Sequence, residues 1–113
     1  MNLCLLLIIL PFTQGLSQLS VVNRCPFALF LKSVQQNASQ IQDLAPNKIY
    51  SEDYRPVING TGVSIKITTN SEIGEEIDEQ KRMVEFDNSP FTQLEYSYVP
   101  WNGLVDLFYD ISA

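Results

Sequence analysis

From Val63 to Thr69 the chain alternates strictly between apolar and polar residues: Val63, Ile65 and Ile67 against Ser64, Lys66 and Thr68. A two-residue period puts one set of side chains on each face of an extended strand, so the segment can fold only as a strand with one face buried. The same period recurs in Leu94, Tyr96 and Tyr98, and again in Val105, Leu107, Tyr109 and Ile111. Ser20 to Asn23 and Phe27 to Val34 form an opening strand pair around Cys25-Pro26. Lys48 to Tyr54 and Met83 to Phe86 read as shorter strands, and Gln35 to Asp43 reads as a polar loop. Turn residues separate these runs at Ala45-Pro46-Asn47, Asn59-Gly60-Thr61-Gly62, Asn88-Ser89-Pro90 and Pro100-Trp101-Asn102-Gly103. Asn102-Gly103, between two alternating runs, is the strongest hairpin signal because both residues accept a positive φ. Many short strands, few helix signals and one core predict an all-β antiparallel sandwich.

The first charged residue is Arg24. Before it, Leu3 to Leu10 form eight consecutive apolar residues, broken by Pro11 and followed by Thr13, Gln14, Gly15 and Ser17. An apolar core followed by small residues is the layout of a secretory signal peptide, here without a basic residue ahead of the core. The cut is expected after Gly15 or Ser17, giving a signal peptide over 1–17 and a β domain over 18–113. The run is about half the ~20 apolar residues that a membrane-spanning helix requires, so no membrane anchor is expected. Two glycosylation acceptors follow from secretion: Asn37 in Asn37-Ala38-Ser39 and Asn59 in Asn59-Gly60-Thr61, both in turn-rich stretches. The expected location is extracellular or at the cell wall.

With the leader removed, Cys25 is the remaining cysteine of two. In an oxidising compartment it either pairs between chains as a Cys25-linked dimer, stays free and buried, or bonds a partner missing from this chain. Thirteen acidic residues against seven basic ones give a net charge of -6. That balance excludes nucleic acid, whose phosphates require a basic surface. The absence of histidine excludes Ser-His-Asp and Cys-His catalysis within the chain. Glu72, Glu75, Glu76, Asp78 and Glu79 crowd five acids into eight residues, but their spacing fits no EF-hand pattern. They read as a solvated loop, and neither a metal nor a cofactor is expected.

Several strings together resemble a known family. Val21-Val22-Asn23-Arg24-Cys25-Pro26-Phe27 is similar to the opening strand and first cysteine of thaumatin-like proteins. Tyr50-Ser51-Glu52-Asp53-Tyr54-Arg55, Gly62 to Ile67, Thr92 to Tyr96 and Phe108 to Ser112 resemble successive blocks of the Blastomyces yeast-phase-specific protein family. The resemblance implies a thaumatin-like β-sandwich and a small secreted fungal protein of the surface, effector or antigen type, without enzymatic activity. It also implies that the domain normally continues past Ala113 into a cysteine-rich tail, so the chain reads as truncated and the disulfide partner of Cys25 as lying outside it.

The alternative function is binding of cell-wall β-glucan, with residual glucanase activity, as in larger thaumatin-like proteins; the other expected partner is a host surface. Sugar stacking would fall to Trp101, Tyr96 and Tyr98, whose flat rings suit pyranose faces. Hydrolysis would need two of Glu52, Asp53, Glu95, Asp106 and Asp110 to flank the scissile bond, ~5–5.5 Å apart for retention or ~6.5–9.5 Å for inversion. No spacing singles out such a pair, so no catalytic residue is assigned.

Overall fold

A computed structural model describes residues 18–37 and 40–100 in full, together with the backbone of Leu5–Ile9 and Asp106–Ser112. Among the described residues, eight strands form two antiparallel sheets. The smaller sheet has the order β1 (Leu5–Ile9), β2 (Gln18–Asn23), β5 (Ile49–Asp53). The larger has the order β4 (Gln42–Leu44), β3 (Leu29–Val34), β6 (Val63–Thr68), β7 (Thr92–Val99), β8 (Asp106–Ser112). The all-β antiparallel architecture expected from the two-residue period is the one observed. β7 and β8 pair antiparallel from Gln93↔Ser112 to Val99↔Asp106. The Asn102-Gly103 turn expected to join them lies outside the described residues.

The period decides which side chains meet. Val63, Ile65 and Ile67 of β6 and Leu94 and Tyr96 of β7 point inward, to Leu29 and Leu31 of β3 and to Leu19 and Val21 of β2 in the facing sheet. Tyr54 closes this core edge-on against Tyr96, with ring centroids 5.2 Å apart and planes at 79°. Edge-to-face pairs of this kind add about 0.5–1.5 kcal/mol beyond the area they bury.

The segment after β6 departs from expectation. Met83 to Phe86, expected as a strand, belongs to helix α2 (Glu79–Asp87), preceded by the single turn α1 (Glu72–Glu75). The acidic run is therefore largely helical instead of a loop. Asp78 explains the start of α2: its carboxylate accepts from the backbone N–H of Gln80 (2.9 Å) and Lys81 (3.1 Å), satisfying two of the donors a helix start leaves open. Ile73, Met83 and Phe86 then bury against Phe30 and Ile41 on the outer face of the larger sheet, a second and smaller core. Lys32 of β3 pins the far end of α2, ion-paired to Asp87 at 2.5 Å with its ammonium 4.8 Å above the Phe86 ring. Gln35 to Asp43, expected as a loop throughout, runs through a bend at 35–37 and ends in β4, which pairs with β3.

The turn after β2 is organised by the side chain of Asn23, which is wholly buried. Its amide nitrogen donates to the carbonyls of Phe27 (2.9 Å) and Leu44 (2.8 Å), and its amide oxygen accepts from the N–H of Cys25 (2.8 Å). The backbone of Asn23 is tied as well, donating to Lys48 O (3.0 Å) and accepting from Asn47 N (2.7 Å). One residue thus joins β2, the Cys25-Pro26 turn, the end of β4 and the start of β5. Asn23→Ala orphans the buried Leu44 carbonyl, the buried Cys25 N–H and the part-buried Phe27 carbonyl, and each uncompensated buried group costs about 1–3 kcal/mol. Urea unfolding of Asn23→Ala is expected to show a loss of roughly 3 kcal/mol, while an exposed control such as Lys81→Ala stays within ~0.5 kcal/mol.

Candidate functional site

The larger sheet has two faces of different character. Inward residues alternate with Ser64, Lys66, Gln93 and Glu95, which point away from the sandwich. Beyond the area covered by α1 and α2, these outward side chains floor an open groove of about 460 Å³ on β6 and β7, walled by Gln35 and Thr61. The floor is ordered by side-chain contacts. Ser64 Oγ donates to Gln93 Oε1 at 3.0 Å, and the Lys66 ammonium lies 5.1 Å above the Phe91 ring. Gln35 Nε2 bridges the carbonyls of Pro56 (2.8 Å) and Thr61 (3.2 Å), fixing the wall. Gly62 sits so close to β7 that a Cβ there would lie 2.4 Å from the carbonyl oxygen of Tyr96, so a larger residue would push the wall off the strand. Glu95 pairs in register with Asp110 of β8, placing two acidic positions side by side at the groove margin.

The second polar cluster lies between the sheets and centres on Glu52 of β5, whose side chain is 10% exposed. Tyr50 donates to Glu52 Oε1 at 2.7 Å and Tyr96 donates to Oε2 at 2.6 Å. The Arg55 guanidinium lies 3.3 Å from Oε2 and also donates to Ser33 of β3, while its backbone N–H donates to the Tyr96 hydroxyl (3.1 Å). Burial, and next the hydrogen bond to Glu52, push both tyrosine hydroxyls well above the usual phenol range. Burial alone would lower the Arg55 pKa, but the Glu52 carboxylate and the Tyr96 hydroxyl together more than offset it and hold the guanidinium charged. Both carboxylate oxygens are committed, so the cluster ties β3, β5 and β7 together.

The residues singled out in sequence fall in different places. Tyr96, a sugar-contact candidate, is a core residue at 2% exposure and offers no ring face to a ligand; inward parity on β7 put it there. Tyr98 is half-buried, its ring 5.8 Å from Tyr54. Trp101 lies outside the described residues. Glu52 and Glu95 are on opposite sides of β7, one within the sandwich and one on its outer face, and cannot flank a common bond. Asp53 is exposed and accepts from Gln18 Nε2 at 3.1 Å, while Asp106 and Asp110 stand on β8 opposite Val99 and Glu95.

The acids of the helical segment have separate tasks: Asp78 caps α2, and Glu79 pairs with Arg82 at 3.7 Å. Among the described residues no three His, Cys, Asp or Glu converge as a metal site. Asn37 is exposed in a bend. Asn59 is exposed at the tip of a tight hairpin, where φ is +50° at Asn59 and +78° at Gly60. Cys25 is buried and disulfide-bonded, and its partner lies outside the described residues. The Glu52 cluster escaped sequence reasoning. Tyr50 and Glu52 show same-face spacing on β5, but Tyr96 is 44 residues distant and nothing in the sequence joins them.

The raised tyrosine pKa values carry a signed pH dependence. A group whose folded pKa lies above its unfolded value stabilises the fold fully below the unfolded value, ~10 for tyrosine, and loses that contribution as pH rises through the folded one. Tyrosinate absorbance is therefore expected to titrate in two groups, with Tyr50 and Tyr96 ionising only as the chain unfolds in alkali. Tyr96→Phe should flatten the fall of stability above pH ~10, and an unchanged slope would contradict the assignment.

Comparison with known proteins adds one positive finding. The family model described as Blastomyces yeast-phase-specific protein matches residues 6–113. Neither a curated protein nor a solved structure matches the chain.

Proposed function

The chain belongs to the Blastomyces yeast-phase-specific protein family, and from that premise we propose that it is a small secreted protein of the fungal surface, of the effector or antigen type, that binds and does not catalyse. The observation that carries this reading is the commitment of Glu52, the enclosed acid, to structural hydrogen bonds. Glu52 is enclosed with both oxygens hydrogen-bonded, and Glu95 stands across the sheet from it. A glycosidase requires two carboxyl groups facing one bond, with one of them free to exchange a proton.

Secretion is supported by the apolar run ending in small residues and by acceptor asparagines on exposed turns. A thaumatin-like arrangement of the sandwich belongs to the same proposal, on the strength of the Val21 to Phe27 string.

The groove on β6 and β7 favours β-glucan as a second reading. Its floor presents hydroxyl, amide, ammonium and carboxylate groups on rigid strands, the donors and acceptors that sugar hydroxyls require. Expression of the full reading frame in a yeast tests both readings. The medium is expected to contain a chain beginning at Leu16 or Gln18, shortened in mass by peptide N-glycosidase. Retention on insoluble β-glucan but not on chitin, abolished by Gln93→Ala with Lys66→Ala, would establish the second reading; passage through both columns would leave the host surface as the partner.

A further inference from the structure

β1 covers one edge of β2. Antiparallel neighbours alternate between hydrogen-bonded and non-hydrogen-bonded pairs, so each residue of a central strand turns its N–H and C=O to one neighbour only. The backbone of Asn23 is bonded on the β5 side, to Lys48 O and Asn47 N. Alternation then turns Val21 and Leu19 toward β5 as well, and turns Ser20 and Val22 toward β1, opposite Ile8 and Leu6. If the leader is cut after Gly15 or Ser17, β1 leaves and the N–H and C=O groups of Ser20 and Val22 become an open edge. The edge is flanked by buried apolar side chains, and no charged residue interrupts Gln18 to Asn23. Sheet edges of this kind pair with another strand unless charge, proline or a bulge blocks them.

We propose that in the processed protein the β2 edge is an isologous dimer interface, in which β2 of a second copy takes the place of β1. The inference rests on the processing step of the secretion reading. The fit is set by parity. An antiparallel two-fold through Val21 brings Ser20 opposite Val22 of the partner and Val22 opposite its Ser20. Each pair exchanges two hydrogen bonds, so all four opened groups on each copy are satisfied. Leu19 and Val21 stay on the inner face, as they are beside β1. The product is a continuous four-stranded sheet, β5-β2-β2-β5. The uncharged stretch Gln18–Asn23 lets two acidic molecules meet here without like charges in register.

The test uses the protein secreted from the full reading frame, with mass spectrometry of its N-terminus and light scattering under reducing conditions. A chain starting at Leu16 or Gln18 that stays dimeric after reduction, and becomes monomeric on adding a lysine-flanked peptide of Leu5–Ile9, is the expected result. Val22→Pro removes an edge N–H without touching a bond to β5, and is expected to give a monomer with unchanged circular dichroism. Should that variant fail to fold, peptide competition on the unaltered chain decides. A processed monomer that takes up no peptide, or a dimer that dissociates on reduction, overturns the proposal. A secreted chain that still carries Leu5–Ile9 overturns the processing reading itself, and the open edge with it.

Discussion

The buried amide of Asn23 holds the fold at its busiest junction. Its three side-chain bonds reach Phe27, Leu44 and Cys25, and its backbone reaches Asn47 and Lys48. These contacts join the chain from β2 through the following turn to the β4–β5 connection. A primary amide has two donors and an acceptor in one plane, so it can satisfy carbonyls on one side and an N–H on the other. Aspartate would lack the donors and leucine would lack everything but volume. The turn places Cys25 in the core, and β3 leaves it in register to cross over to the second sheet. Its bonds tie β2 of the small sheet to the end of β4 in the large one.

The Glu52 cluster does similar work at the other side of the sandwich, with a different balance. A carboxylate between two sheets is costly unless its oxygens are bonded and its charge is met. Here two phenols and a guanidinium meet both conditions. The consequence reaches function, because the residue that most resembles a candidate acid inside the molecule is committed to structure. On the outer face, alternate residues of β6 and β7 present polar groups on strands fixed by the core beneath. Rigid strands lower the ordering cost of binding compared with a mobile loop.

The sequence was legible where one physical signal dominated. Alternation in Val63 to Thr69 placed β6 within a residue of its observed end, and β7 followed from the same period; β2, β3 and β5 were legible as short runs between turn signals. It failed at Met83 to Phe86, where four residues are too few to separate a period of two from 3.6. The deciding signal lay upstream in Asp78, whose carboxylate caps the helix, and in the spacing of Met83 and Phe86 by three. Aromatic clustering near the C-terminal end suggested a sugar platform, but parity assigns Tyr96 inward and Tyr98 against Tyr54. The leader run is a case of two meanings in one segment: apolar enough for a signal peptide, and extended in the full chain as β1.

What the sequence determined by itself is the class of fold, the sign of the surface charge and the family, because alternation, composition and ordered short strings are local properties. Only the tertiary structure decided which residues meet across distance: Glu52 with Tyr96, Lys32 with Asp87, Asn23 with Leu44. It also decided that Glu52 and Glu95 stand on opposite sides of one sheet. Those pairings depend on strand order and register, which are set by the summed burial of both sheets and not by any residue's neighbours in the chain.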